Sequence, residues 1–179
     1  IGAGNIGGIV CERARNLKMK ILAYDPFLSE DKSLEMGIEK VEDLENLLPK
    51  VDFITLHVPL TDMTRNILSR ENLEKTKKGV RIINCARGGL VDEIALSELI
   101  KSGHVAGAAF DVFEKEPAND NPLFNLPNVV CTPHLGAATI EAQENVAIQV
   151  AEQMSNYLLE GAVENALNMP SMSAVSYTH

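Results

Sequence analysis

The sequence predicts an α/β fold with a Rossmann-type, doubly wound parallel sheet, and three observations support this prediction. Apolar runs of strand length alternate with amphipathic stretches of helical length, which is typical of βαβ units. The chain opens on a glycine-rich turn, at residues 2–7, that leads directly into a helical stretch. Polar and charged residues follow several apolar runs, at the strand ends where such sheets bind their ligands.

The order of the elements follows from these runs and from their stop signals. The first helix should run from the glycine turn through Val10, Ala14 and Leu17. The long last helix should end at Gly161, because glycine readily adopts the left-handed backbone angles found beyond a helix end. Strands are expected at 20–25, 38–41, 52–58, 80–86, 105–112 and 128–132, and further helices at 42–48, 92–101 and 139–159.

The composition is that of a globular domain, and it argues against several functional classes. Of the 179 residues, 45% are hydrophobic and 23% are charged, and the formal net charge is −9. A nucleic-acid-binding protein normally needs a basic face, so this charge argues against one. No segment approaches the ~20 apolar residues of a membrane span. Cys11, Cys85 and Cys131 show no disulfide or zinc spacing, so we interpret them as buried free thiols in a reducing cytoplasm and expect no metal site.

The glycine turn and an acidic residue together predict a dinucleotide site. Gly2 would allow the tight turn, Gly4 would let the backbone approach the pyrophosphate, and Gly7 would let helix and strand pack closely. The N-terminus of the following helix offers N–H groups and a partial positive charge to the phosphates. Asp25 ends the next strand about twenty residues later, where an acid binds the hydroxyls of the adenosine ribose. Its carboxylate would repel a 2′-phosphate, so we expect NAD and not NADP.

Residues at later strand ends predict an oxidation chemistry. Arg87 follows the strand at 80–86, and a guanidinium binds a carboxylate through paired hydrogen bonds. His134 follows the last strand, and histidine carries protons near neutral pH. Glu116 would hold that imidazole, and Asp111 could bind the nicotinamide or its ribose. The structural alternatives are a surface arginine, a structural histidine and a solvated run of charges. With NAD as hydride acceptor, Arg87 as anchor and His134 as base, the set would oxidise a 2-hydroxy acid.

Four motifs, taken together, resemble those of the D-isomer-specific 2-hydroxyacid dehydrogenases. They lie at residues 2–7, 84–89, 111–117 and 133–137, and their order and spacing are similar to the family's along nearly the whole chain, to about Ser173. The resemblance implies a Rossmann domain that binds NAD, with a small 2-hydroxy or 2-oxo acid as substrate. It also implies a homodimer or homotetramer, since members of the family associate through the nucleotide-binding domain.

The resemblance also implies roles for individual residues. Arg87, Glu116 and His134 would be catalytic. Cofactor contacts are implied at the glycine turn, at the strand ends and in the loop before the last helix, namely at Gly2, Gly4, Asn5, Ile6, Gly7, Asp25, Val58, Cys85, Ala86, Arg87, Asp111, His134, Leu135, Gly136 and Ala137.

Two segments indicate one branch of the family. Residues 134–145 and 161–170 are most similar to the members that oxidise D-3-phosphoglycerate to 3-phosphohydroxypyruvate in serine biosynthesis. Glyoxylate and hydroxypyruvate reductases share the same catalytic set and form the first alternative. NAD-sensing transcriptional corepressors, which have the same fold and a similar trio of residues, form a second alternative of a different class.

The resemblance also sets the expected domain organisation. We expect residues 1–160 to form the NAD-binding domain and residues 161–179 to begin a return to a substrate domain or to form a linker. The strand before the glycine turn, which is central in a doubly wound sheet, is represented by Ile1 alone. We therefore interpret the chain as a fragment that lacks the N-terminal substrate domain and is unstable in isolation. Residues 176–179 carry no pattern that assigns them to the fold.

Overall fold

The computed structural model describes residues 1–170 of the chain. By its internal contacts the chain separates into two compact units, Ile1–His134 and a second unit that begins at Leu135. The predicted division into residues 1–160 and 161–179 stays a prediction, and its last part, with Ser173 and residues 176–179, lies outside the described residues.

The first unit contains the whole described sheet and five helices, and the second unit contains one long helix. In chain order the elements are α1 (Asn5–Asn16), β1 (Leu22–Ala23), α2 (Glu30–Met36), β2 (Glu39–Lys40), α3 (Leu44–Leu47), a 3-10 turn (Leu48–Lys50), β3 (Phe53–Leu56), α4 (Arg70–Glu74), β4 (Val80–Asn84), α5 (Glu93–Lys101), β5 (Val105–Phe110), β6 (Val129–Cys131) and α6 (Ile140–Glu160).

All strand pairs within residues 1–170 are parallel, which confirms the predicted α/β fold class. β1 pairs with β2, and a second group has the order β3-β4-β5-β6. The backbone of Ile1 and Gly2 lies between these two groups. The Ile1 amino group donates to the Thr55 carbonyl at 2.9 Å, the His57 N–H donates to the Ile1 carbonyl at 2.8 Å, and the Gly2 N–H donates to the Tyr24 carbonyl at 2.9 Å. The glycine turn therefore starts from the middle of the sheet.

The core of the first unit lies between β4, β5 and α5. Ile82 and Leu96 have no exposed surface, and Phe110 is 2% exposed. Burial of one such side chain stabilises the fold by about 1.5–3 kcal/mol. The start of α5 is fixed by Asp92, whose side chain accepts a hydrogen bond from the Ala95 N–H at 2.9 Å. This core holds the carboxyl ends of β4 and β5 side by side.

Two helices were not predicted, α2 and α4. Both are short and largely charged, so neither shows the apolar period by which longer helices are recognised. Each begins at a serine N-cap: the Ser29 hydroxyl accepts from the Lys32 N–H at 3.2 Å, and the Ser69 hydroxyl accepts from the Asn72 N–H at 3.3 Å. These serines were the available sequence signal.

The three cysteines are free, as predicted, but the expectation that they are buried is wrong. Cys85 is exposed, and Cys11 and Cys131 are half-buried. Cys85 lies just beyond the last residue of β4, because that strand ends at Asn84 and not at Ala86. Its thiol therefore belongs to a loop at the edge of the sheet.

Candidate active site

The predicted site residues of the first unit follow the carboxyl ends of five parallel strands. Asp25 follows β1, Val58 follows β3, Arg87 follows β4, Asp111 follows β5 and His134 follows β6. Because the strands are parallel, all these ends lie at one edge of the sheet. The glycine turn before α1 opens at the same edge.

The three glycines of the turn have different surroundings. Gly2 has a φ of 85°, and a Cβ there would lie 2.6 Å from the His57 carbonyl oxygen. A Cβ at Gly7 would collide with the carbonyl of Gly2, so helix and turn are packed too closely for any side chain. No atom lies within 4 Å of a Cβ at Gly4, so space is open there. This arrangement fits the predicted roles of tight turn, close packing and approach to a pyrophosphate.

The start of α1 is suited to an anion. Its N-cap is Gly4, no side chain caps the first N–H groups, and the first turn contains no acidic residue. Asn5 and Ile6 are exposed at this end. The first N–H groups of a helix have no partner within the helix and carry a partial positive charge. A phosphate of a dinucleotide would satisfy both.

Asp25 lies directly beside the glycine turn. One carboxylate oxygen accepts from the Ala3 N–H at 2.8 Å, and the other accepts from the Phe27 N–H at 2.9 Å. These bonds fix the carboxylate at the end of β1, and each oxygen keeps a second lone pair for a ligand hydroxyl. Val58 contacts the other side of the turn, since a Cβ at Gly2 would lie 2.8 Å from Val58 Cγ1. The residues present therefore fit a dinucleotide.

A buried amide that was not predicted as a site residue fixes the turn before Arg87. Asn84 is 1% exposed, its Nδ2 donates to the Arg87 carbonyl at 2.9 Å, and its Oδ1 accepts from the Ala86 N–H at 3.1 Å. Arg87 is exposed, and its Nη1 donates to the Ala86 carbonyl at 2.6 Å. A Cβ at Gly88 would collide with the Phe113 carbonyl. The Arg87 turn thus packs against the loop that follows β5.

Glu116 and His134 are in direct contact. His134 Nδ1 lies 2.7 Å from Glu116 Oε2, and Glu116 Oε1 accepts from the Phe113 N–H at 3.0 Å. The hydrogen bond with His134, followed by that from Phe113, lowers the pKa of Glu116 below its ordinary value. His134 has a φ of 57°, a left-handed conformation that is uncommon for a residue with a side chain. With Nδ1 on the carboxylate, Nε2 is left to exchange a proton with a ligand.

Asp111 connects β4, β5 and β6 at the same edge. It is 6% exposed, its N–H donates to the Asn84 carbonyl at 3.0 Å, and its Oδ1 accepts from the Thr132 hydroxyl at 2.5 Å. Partial burial, followed by the Asp111 charge, raises the pKa of the Cys85 thiol. Thr132 was not among the predicted residues, although it is a polar residue at a strand end.

A cavity of about 660 Å³ opens beside the Glu116–His134 pair. The residues that line it include Phe113, Phe124 and Thr132. An apolar cavity with a few convergent polar groups is the usual form of a small-molecule site.

Three predicted cofactor contacts belong to the second unit. Leu135, Gly136 and Ala137 form a turn in which the Ala138 N–H donates to the Leu135 carbonyl at 3.1 Å. The roles of these three residues stay predictions, as do the roles assigned to the site residues of the first unit.

Two further observations concern residues 1–170. Within this range no helix has both the length and the apolar character needed to cross a membrane. The same range contains no group of His, Cys, Asp or Glu side chains arranged to hold a metal ion.

Residues 1–136 match the family model described as D-isomer specific 2-hydroxyacid dehydrogenase, NAD binding domain. The chain is 49% identical over 173 residues to the D-3-phosphoglycerate dehydrogenase of Bacillus subtilis, covering 97% of this chain and 33% of that protein. It is 49% identical over 172 residues to the D-3-phosphoglycerate dehydrogenase of Methanocaldococcus jannaschii, covering 96% of this chain and 33% of that protein. The chain thus spans about a third of the length of these relatives.

Solved structures show the same arrangement. A glyoxylate reductase from Paecilomyes thermophila superposes with a TM-score of 0.82 at 34% identity, over 93% of this chain and 50% of that one. The holo form of D-mandelate dehydrogenase from Rhodotorula graminis superposes with a TM-score of 0.85 at 27% identity, over 96% of this chain and 51% of that one. The chain corresponds to about half of each of these structures.

Proposed function

The chain belongs to the D-isomer specific 2-hydroxyacid dehydrogenases, with residues 1–136 in the family's NAD binding domain, and we propose that the whole protein oxidises D-3-phosphoglycerate to 3-phosphohydroxypyruvate. The observation that carries the catalytic part of this proposal is the 2.7 Å contact between Glu116 and His134. It pairs a proton carrier with a carboxylate at the edge of the sheet where the glycine turn opens.

The reaction separates a hydride from a proton. The glycine turn and Asp25 would hold NAD, which would supply the acceptor for the hydride on the carbon that bears the hydroxyl group. His134 Nε2 takes the hydroxyl proton, and the Glu116 carboxylate orients the ring and stabilises the imidazolium that forms. In the reverse direction His134 returns this proton to the oxygen of the 2-oxo acid.

Arg87 would anchor the substrate carboxylate. Its guanidinium is exposed at the end of β4, and the buried side chain of Asn84 holds its backbone through the 2.9 Å bond. A bidentate pair between guanidinium and carboxylate sets the orientation of the substrate as well as binding it. The Arg87 turn packs on the Phe113 carbonyl, and the Phe113 N–H donates to Glu116. Phe113 therefore links the turn that carries Arg87 to the carboxylate that bonds His134.

Similarity to curated relatives supports D-3-phosphoglycerate as the substrate. The relatives from Bacillus subtilis and Methanocaldococcus jannaschii, both at 49% identity, are named for that reaction, which implies a role in serine biosynthesis. The second candidate is reduction of glyoxylate or hydroxypyruvate, which is favoured by the likeness to a glyoxylate reductase. A peptide-binding corepressor is the candidate of a different class.

An NADH-linked rate assay on the complete protein separates these candidates. We expect 3-phosphoglycerate oxidation and 3-phosphohydroxypyruvate reduction to have a higher kcat/KM than reduction of glyoxylate or hydroxypyruvate. Preference for the unphosphorylated acids would assign the protein to the reductases. Absence of turnover with every acid, together with retained NADH binding, would favour a binding protein.

We further propose that the protein acts as a homodimer or homotetramer in the cytoplasm. The compartment is supported by the three free thiols, Cys11, Cys85 and Cys131, which a reducing environment preserves. The association is supported by the apolar side chains that α6 exposes, among them Val146, Val150 and Met154. Light scattering on the complete protein measures the assembly directly, and a monomer at micromolar concentration would contradict it.

A further inference from the structure

The loop that carries Glu116 contains no helix or strand. It extends over residues 111–128, between the end of β5 and the start of β6. Its two ends bond the sheet through Asp111 and Asn128, but between them the backbone belongs to no sheet or helix ladder, so side chains and neighbouring elements must fix its place. The bond between Glu116 and His134 cannot do so by itself, because both residues belong to loops.

A buried carboxylate on α5 makes two hydrogen bonds to this loop. Glu93 is 8% exposed, its Oε1 accepts from the Glu114 N–H at 2.9 Å, and its Oε2 accepts from Asn121 Nδ2 at 2.6 Å. Asn121 Oδ1 accepts in turn from the N–H of Leu123, a residue with no exposed surface, at 3.0 Å. We call Glu93 and Asn121 the clamp. It holds the loop on both sides of Glu116.

Glu93 is well placed to act as a fixed point. It is the first residue of α5, directly after the Asp92 N-cap, and the next turn is packed into the core through Ala95 and Leu96, which have no exposed surface. The N-terminus of a helix favours a negative charge. Glutamate is almost never buried unless it is paired, and here each carboxylate oxygen has its own donor.

We infer that Glu93 is a positioning residue for the proton-transfer pair. Through Asn121 and the backbone of Glu114 it sets the place of the Glu116 carboxylate, and through Glu116 the orientation of the His134 imidazole. Glu93 bonds the loop and no group assigned to the substrate or the cofactor, so its effect on rate passes through the loop that carries Glu116. The inference rests on the proposed function.

The donors that face Glu93 define the test. Glutamine has the same length but a single acceptor oxygen, so Glu93→Gln in the complete protein leaves one of the two donors facing an NH2 group. We expect kcat to fall about tenfold or more, since misplacing a reacting group by about 1 Å costs about 100-fold. KM for NAD should not change, because the clamp bonds the loop and not the glycine turn or Asp25.

A second substitution should restore every bond. In Glu93→Gln combined with Asn121→Asp, the amide at position 93 accepts from the Glu114 N–H and donates to the new carboxylate at position 121. That carboxylate still accepts from the Leu123 N–H. The charge has moved by one side chain while the pattern of donors and acceptors is kept. We expect the double variant to recover most of the lost kcat.

Glu98→Gln is the matched control. It makes the same change of charge on the same helix, at an exposed carboxylate that accepts from Arg70 Nη2 at 2.6 Å and not from the loop. It should leave kcat unchanged. A Glu93→Gln variant with the wild-type kcat, or a double variant as slow as Glu93→Gln, would overturn the inference.

A readout independent of turnover separates this inference from the proposed function. The Nδ1 proton of His134, shared with Glu116, should give a downfield NMR signal that broadens in Glu93→Gln and returns in the double variant. An unaltered signal in Glu93→Gln would overturn the positioning role even if the wild-type protein oxidised no 2-hydroxy acid. A wild-type protein without turnover, but with the expected change in this signal, would overturn the proposed function alone.

Discussion

Replacing Glu116 by glutamine keeps the shape of the side chain but turns one acceptor into a donor. In the structure one carboxylate oxygen accepts from the Phe113 N–H at 3.0 Å, and the other lies 2.7 Å from His134 Nδ1. The amide satisfies Phe113 only by directing its NH2 group toward His134 Nδ1, which must then act as the acceptor. The single proton of the neutral ring moves to Nε2, the atom that should receive the substrate proton.

The size of the effect follows from the competing orientation of the amide. Turning the amide around restores the productive ring tautomer but leaves the Phe113 N–H facing an NH2 group, at a cost of about 1–3 kcal/mol. That cost lowers the population of the productive tautomer by about 5- to 150-fold, at 1.4 kcal/mol per factor of ten. Loss of the negative charge beside the imidazolium adds to this. The corresponding change in a Ser-His-Asp triad costs about 10⁴ in kcat, so we expect a loss between about 10² and 10⁴.

The assay follows NADH absorbance during oxidation of D-3-phosphoglycerate by the complete protein, the direction in which His134 Nε2 must accept a proton, with NADH affinity measured separately by fluorescence. NADH affinity should be retained, because the Glu116 carboxylate bonds Phe113 and His134 and not the glycine turn or Asp25. Glu71→Gln is the control: it makes the same change of charge at an exposed carboxylate that accepts from Lys75 Nζ at 2.7 Å. A Glu116→Gln variant within about tenfold of the wild-type kcat would refute the assigned tautomer and with it the role of the pair.

Four other outcomes are expected. Arg87→Ala should abolish turnover and leave NAD affinity largely intact, as isothermal calorimetry would show, and an active variant would reject the anchor. Asp25→Ala should weaken NAD binding and relax discrimination against NADP, whereas an unchanged ratio of the two affinities would reject the ribose contact. Asn84→Ala removes two hydrogen bonds of about 1 kcal/mol each, so chemical denaturation should show a free energy of unfolding lower by about 2 kcal/mol. The KM for the acid should rise, because the backbone of Arg87 is no longer held. An unchanged KM would show that Asn84 stabilises the fold without positioning Arg87. The pKa of Glu116 lies below its ordinary value, chiefly because of the hydrogen bond with His134. The contact therefore stabilises the fold above pH about 4.5, and this stabilisation is lost as pH falls through the pKa of the folded state. The Tm difference between wild type and Glu116→Gln should shrink toward acid pH, and a constant difference would contradict this.

The strands of the sheet were predictable because β-branched and apolar runs identify them, but their ends were not. The segment predicted at 105–112 is a strand over Val105–Phe110, and that predicted at 80–86 is a strand over Val80–Asn84. In both cases the last two predicted residues, Cys85 and Ala86 or Asp111 and Val112, lie beyond the end of the strand, in the loops at the candidate site. Asp111 bonds Thr132 with its side chain, and such a tertiary partner is invisible in the local pattern.

The candidate site was predictable where strand-end position and residue chemistry coincide. Glu116 and His134 are brought into contact, as their proposed roles require. The supporting residues were not predicted, because their partners are distant in sequence: Glu93 bonds Asn121, 28 positions later. A glutamate at the start of a helix is ordinarily explained by the helix dipole alone. The local sequence therefore gave no sign that Glu93 also bonds the loop.

The shortness of β6 has a consequence for the folding of the protein. This strand has three residues and pairs with β5 only from Val129 to Cys131. A slip of one position would carry His134 about 3.3 Å along the chain, farther than the 2.7 Å that joins it to Glu116. A mispaired molecule would keep its glycine turn but lose the contact between Glu116 and His134. In a refolded sample, chains with β6 one residue out of register would lower the fraction of folded molecules that turn over.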